Sequence, residues 1–258
     1  MVLKRLTHFH VLLILIAASF SSFTYGKTIV KSGSYGRSYE DRVLTSYKIV
    51  DDSYAQNELT KVLLITEGVH GNEYMGITNK LTQVNYWHQL PVTHPLKAFL
   101  KQAGVIYILP KVNPDGIERK SRFTYNGHDL NRDFLERKLN QQESYYLSEF
   151  VKEEIAPLSI KTKISVDLHC CGGKLLQAKD MNVSDNYPFI TVLRGPEAMK
   201  VPVQHTRDHF KTFFPGTLKD YLHENFGFKA FTFENFEIDH PLRELEVLLE
   251  KILEFKSH

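Results

Sequence analysis

The chain is predicted to fold as α/β, a single-domain mixed β-sheet flanked by helices with its site at the carboxyl ends of the central strands. Short apolar runs rich in β-branched residues alternate with stretches of helical periodicity, the pattern of a layered α/β protein. Two of those runs, residues 61–66 and 164–168, lead directly into His70 with Glu73 and into His169. In open α/β sheets, sites collect at strand carboxyl ends, so these residues are expected on one edge. The length of 258 residues amounts to about one domain, and no repeat, low-complexity tract or linker divides it.

In chain order, Lys4 and Arg5 precede an apolar run over 11–18 that is too short to span a bilayer comfortably. Residues 1–26 are therefore predicted to be a signal peptide, with an uncleaved N-terminal anchor as the alternative, and 27–258 the catalytic domain, with no stable membrane span expected after cleavage. Residues 33–38 read as a polar, glycine-punctuated loop, and 43–50 alternate as a strand. Further strands are expected over 61–66, 105–109, 164–168, 189–193 and 230–233. Helical periodicity covers 75–89, 142–155, 204–213 and 217–225, and 241–255 places leucines and isoleucines at helical spacing behind a proline start. Asn113-Pro114-Asp115-Gly116 is a turn signal. Residues 122–134 lack apolar periodicity and read as a loop.

The formal net charge of +2, with lysine and glutamate interspersed, leaves no broad basic face, and nucleic-acid binding has no compositional support. The two cysteines, Cys170 and Cys171, are adjacent. A disulfide between neighbours is geometrically strained, so two reduced thiols are expected, at least one of them buried as a small apolar residue. An exported chain without a disulfide framework must rely on its core, which this length permits.

His70, Glu73 and His169 form a two-imidazole, one-carboxylate set. That donor combination suits a single Zn2+ ion, with a fourth position left to water in a hydrolytic site. The pair His70 and Glu73 alone is a weak signal among twelve histidines; its place after an apolar run strengthens it. Arg132 beside Asn131 suits recognition of an anionic substrate terminus, because a planar guanidinium binds a carboxylate bidentately. Arg122 suits polarisation of a carbonyl. The plainer alternative is that both arginines make surface ion pairs of little energetic weight.

His70-Gly71-Asn72-Glu73, Asn113-Pro114-Asp115-Gly116, Gly127-His128-Asp129-Leu130-Asn131-Arg132-Asp133-Phe134, Asp167-Leu168-His169 and Phe231-Thr232-Phe233-Glu234 share the order and approximate spacing of the M14 zinc carboxypeptidase family. The chain resembles that family from Tyr35-Gly36-Arg37-Ser38 to Glu234, and within it the small bacterial murein peptide amidases and cell-wall carboxypeptidases. The resemblance implies that His70, Glu73 and His169 are the zinc ligands and Glu234 the general base, favoured over nearby Glu237. It further implies that Arg122 stabilises the oxyanion and that Asn131 and Arg132 anchor a substrate carboxylate. His128 and Asp133 depart from the family loop, and read either as a change in substrate charge preference or as surface variation. Tyr221 is read as a helix residue rather than a mobile catalytic tyrosine.

These readings combine into an exported, periplasmic zinc metallocarboxypeptidase or amidase acting on a peptide substrate and trimming peptidoglycan stem peptides. An N-acyl amino acid deacylase resembling succinylglutamate desuccinylase and aspartoacylase is the alternative enzyme. A non-catalytic cell-wall peptide binder is the alternative from another class. The oligomeric state is not legible in the sequence.

Overall fold

The computed structural model describes residues 26–135, 139–187, 189–194, 197–205, 215–235 and 241–253. Among the described residues nine strands form one mixed sheet: β1 (Thr28–Arg37), β2 (Val43–Asp51), β3 (Lys61–Glu67), β4 (Gly104–Leu109), β5 (Thr162–Cys170), β6 (Lys174–Gln177), β7 (Phe189–Arg194), β8 (Glu197–His205) and β9 (Lys229–Asn235). Their spatial order is β1-β2-β4-β3-β5-β9-β6-β8-β7. Strands β4, β3, β5 and β9 run parallel at the centre. Antiparallel pairs β1/β2 and β2/β4 close one side, and β9/β6 and β8/β7 the other.

The central strands are covered on both faces and so read as continuous apolar runs, without the alternation of a half-exposed sheet. Val62, Leu63, Leu64 and Ile65 of β3 and Val105, Ile106 and Ile108 of β4 are fully buried. The helices are α1 (Thr78–Leu81), α2 (Val84–Gln89), α3 (Pro95–Leu100), α4 (Pro114–Glu118), α5 (Gln142–Phe150, continued by a π turn Val151–Ile155), α6 (Val183–Asn186), α7 (Leu218–Phe226) and α8 (Pro241–Leu253). Helix α5 packs on β1, α7 on β5 and β9, and α3 on β4 and α8. Ser148 of α5 shares a 2.6 Å hydrogen bond with the hydroxyl of Tyr221 of α7. Tyr221 is buried on its helix, as its sequence context indicates.

Several sequence expectations need correction. Residues 33–38 are not a free loop: all but Ser38 lie in β1, an edge strand whose polar residues face solvent and whose register shifts between Ser34 and Gly36. Residues 75–89 form two short helices. The Leu81 carbonyl that a continuous helix would offer to the Asn85 amide instead accepts the indole N–H of Trp87 at 2.6 Å. Asn113 to Gly116 open a short helix, with the Asn113 side chain accepting from the Gly116 amide and Pro114 at the first turn. Of the helix expected over 204–213, Gln204 and His205 belong to β8, and 206–213 lie outside the described residues. Residues 1–25, which carry nearly all of the expected signal peptide, also lie outside them, as does Glu237. No helix among the described residues is long and apolar enough to cross a membrane.

Candidate metal centre and its cavity

Strand β3 ends at Glu67, and the next turn carries His70 and Glu73. Glu67 is buried and fixes that turn: its carboxylate accepts from the amides of Met75, Ile77 and Thr78 and from the Thr78 hydroxyl, at 2.7 to 3.1 Å. Gly71 is required by close approach, since a Cβ there would stand 2.0 Å from the backbone carbon of Gly116. The Asn72 amide bonds the Ser121 carbonyl, which ties the turn to the segment leading into Arg122.

From β3 and β5 the three predicted donors converge. The Nδ1 atom of His70 lies 3.0 Å from one Glu73 oxygen, and Nδ1 of His169 lies 2.8 Å from the other. Each of the three residues offers an atom within 4.8 Å of the others. The far nitrogens are held as well: Nε2 of His70 meets Asp129 at 3.0 Å, and Nε2 of His169 meets Asp167 at 2.7 Å. Asp167 is itself anchored by the Thr66 hydroxyl at 2.7 Å. Carboxylates behind metal-binding imidazoles fix the tautomer and raise ligand basicity.

The electrostatics suit a cation. Burial pushes the Glu73 carboxyl up, but hydrogen bonds from His169 and His70 hold it well below the usual carboxylate range. Burial likewise opposes the imidazolium of His169, yet Asp167 and Glu73 raise its pKa well above the ordinary histidine value. The acidic groups around these rings therefore demand positive charge at the point where the donors meet. A divalent ion supplies it with both imidazoles neutral. His70, Glu73 and His169 thus fit a zinc ion in donor type and placement.

Glu234 stands beside His169 in register on β9, and both line one cavity of about 420 Å³. Burial raises the Glu234 pKa; His169 opposes that rise and Glu73 reinforces it. Arg122 is steered by Asp129, to which Nε and Nη2 donate at 3.1 and 3.0 Å, while Nη1 reaches Glu73 at 3.0 Å. The Asp129 carboxyl, pushed up by burial, is held low overall by His70, Arg122 and Arg132.

Asn131 and Arg132 lie in a short 3-10 turn, Leu130–Arg132, and line the same cavity. The Asn131 side-chain oxygen accepts from the Leu218 amide at 2.8 Å, which turns its NH2 group into the donor left for a ligand. Arg132 donates to the Asn131 carbonyl at 2.6 Å, and burial lowers its pKa. All seven predicted site residues are therefore brought to one cavity.

Asp133 is not a substrate-facing or surface group. It is buried and accepts from the amides of Asn140 and Gln141 and from the Ser144 hydroxyl, organising the start of α5. His128 is exposed, as surface variation implies. Cys170 and Cys171 stand in the lining of the same cavity. Neither sulfur belongs to the donor cluster.

Sequence reasoning missed the positioning roles of Asp129 and Asp167. The second was readable, since residues 167 and 169 of a strand share one face. It also missed Lys219, buried at the cavity wall; the sequence around it looks like an ordinary helix start.

A parallel-centred α/β sheet with a His-Glu-His centre at the strand ends defines the zinc-carboxypeptidase fold class. Residues 23–171, more than half of the chain, match the model of the family described as zinc carboxypeptidase, and the chain belongs to that family. A zinc carboxypeptidase from Saccharothrix mutabilis subsp. capreolus is 31% identical over 90 residues, 35% of this chain. The match spans only about a fifth, 20%, of that relative. Among solved structures, the carboxypeptidase A of Helicoverpa armigera is similar at TM-score 0.64 and 16% identity, covering 87% of this chain and 67% of that one. The murein-tripeptide amidase of Escherichia coli O157 is similar at TM-score 0.54 and 15% identity, covering 88% and 93%. At these identities the solved structures show the shared fold.

Proposed function

We propose that the protein is a zinc-dependent carboxypeptidase or amidase that hydrolyses an amide bond next to a free carboxylate, exported to the periplasm and acting on peptidoglycan stem peptides. The carrying observation is the cavity itself: a three-donor centre, a buried carboxylate beside it, and Arg122, Asn131 and Arg132 around it. Zinc held by His70, Glu73 and His169 supplies Lewis acidity and makes water nucleophilic near neutral pH.

The chain's own residues do the rest. Arg132 and the amide of Asn131 seat the terminal carboxylate of the substrate, which fixes the scissile bond relative to the centre. Glu234 accepts a proton from the attacking water and delivers it to the departing amine. Arg122, its guanidinium oriented by Asp129, donates to the carbonyl oxygen as negative charge develops there. Asp129 and Asp167 keep both imidazoles turned toward Glu73.

Export is supported by Lys4, Arg5 and the apolar run at 11–18. The stem-peptide substrate is supported by that leader and by a murein-tripeptide amidase sharing the fold. Incubating the purified protein with muropeptides, with ordinary peptides and N-acyl amino acids as controls, tests the reading. Release of a terminal residue from the muropeptides is expected. Efficient cleavage of a control class with intact muropeptides would overturn the substrate assignment.

A further inference from the structure

Lys219 lines the cavity with Arg132, Asn131 and Thr232, yet the mechanism above does not use it. It is only 2% exposed and lies in the first turn of α7, two residues after the capping residue Thr217. Both circumstances disfavour an ammonium there. Burial removes its hydration, and the positive end of a helix dipole repels a cation. Burial indeed lowers its pKa, an effect Asp220 opposes and Arg132 adds to. For packing alone, an apolar side chain at this position would be less costly.

Asp220 compensates from behind, and Asp167 adds a weaker attraction. Its carboxylate accepts from the Lys179 amide at 2.9 Å, the Thr217 hydroxyl at 2.6 Å and the Lys219 ammonium at 3.1 Å, and Asp220 is not among the lining residues. The Lys219 ammonium also donates to the Thr217 hydroxyl at 3.2 Å. Among the described residues two of its three N–H groups are therefore assigned, and the third is available to the cavity that Lys219 borders. The α7 start is fastened to the carboxylate-anchoring turn, because the Asn131 side chain holds the Leu218 amide and the Gly216 carbonyl accepts from Phe134. Two cations, Arg132 and Lys219, thus stand at fixed positions on one wall.

We propose that Lys219 is a specificity-determining residue that selects, among peptides with a free terminal carboxylate, those whose terminal residue carries a second carboxylate in its side chain. The inference rests on the function proposed above and names its substrate class. A buried donor that meets a charged acceptor in one ligand and a neutral amide in its isostere discriminates strongly between them.

The test uses the full-length zinc-loaded protein and a matched pair of blocked dipeptides ending in glutamate or glutamine. The wild-type kcat/KM ratio is expected to favour glutamate by ~10- to 100-fold, the span of one charge-assisted hydrogen bond. Lys219→Met and Lys219→Gln should bring the ratio near one, and Lys219→Arg should keep a preference for the acid. Calorimetric binding of N-acetylglutamate against N-acetylglutamine gives a second readout independent of turnover. If neither dipeptide is cleaved but Lys219-dependent preference for N-acetylglutamate persists in binding, the proposed function fails and this inference stands. Equal treatment of acid and amide by the wild-type protein, or an unchanged ratio in cooperatively folded Lys219→Met or Lys219→Gln, overturns it.

Discussion

His169 on β5 and Glu234 on β9 are register partners in adjacent parallel strands, so one pairing places a metal-binding imidazole next to a buried carboxylate. Because side chains alternate along strands, both point to the same side of the sheet edge. A slip by one residue would turn Glu234 away from the cavity. The apolar residues Phe231 and Phe233, both buried, resist such a slip.

Replacing Glu234 with Gln keeps the shape and removes the proton acceptor. Turnover on any substrate the wild-type protein cleaves should fall by at least ~100-fold, the usual span for a positioned acid-base group. Zinc content should stay at one ion per chain, because Glu234 is not one of the three donors. Hydrolysis rates with elemental analysis of the same preparation check this; full activity in a zinc-loaded variant would remove Glu234 from the mechanism.

Asp129 joins His70 to Arg122, and its replacement by Asn should act on both. Loss of a carboxylate behind a ligand imidazole lowers metal affinity by ~10- to 100-fold. A chelator-competition titration should show that drop. Activity should remain depressed even at saturating zinc, because Arg122 loses its orienting partner; full recovery under those conditions would confine Asp129 to the metal.

How much of this was legible depends on whether a role is local. Strands β3, β5 and β9 announce themselves because burial on both faces makes them uninterrupted apolar runs. Strand β1 does not, since Ser32, Gly33 and Ser34 face solvent at a sheet edge and look like loop. The donors His70, Glu73 and His169 carry their chemistry in their residue types. Asp129 and Lys219 do not: one is defined by a ring 59 residues away in sequence, the other by a cavity assembled from several segments.

Glu67 makes a stability prediction separate from chemistry. It is 1% exposed and accepts four hydrogen bonds from Met75, Ile77 and Thr78. Glu67→Ala strands those donors in a buried site and should cost roughly 3 kcal/mol or more. Urea denaturation measures the loss. Zinc affinity should fall with it, because the same carboxylate holds the turn that carries His70 and Glu73; unchanged stability would mean that the turn is supported elsewhere.

Glu143 supplies a pH dependence away from the metal centre. It is 1% exposed, one of its oxygens has no hydrogen-bond partner among the described residues, and burial with nearby Asp115 and Asp133 raises its pKa from 4.5 to about 7. The folded state therefore binds this proton more tightly than the unfolded state. Its contribution is fully present below pH 4.5, declines as the pH rises through about 7, and is absent above that. At about 1.4 kcal/mol per pH unit, the swing is on the order of 3 kcal/mol. Glu143→Gln mimics the protonated form at every pH. The variant should match the wild-type protein near pH 4 and exceed it by most of that amount at pH 8, as read from urea midpoints across the range. A stability difference that does not change with pH would show that Glu143 is already ionised in the fold, and that its burial is compensated by a partner other than its own proton.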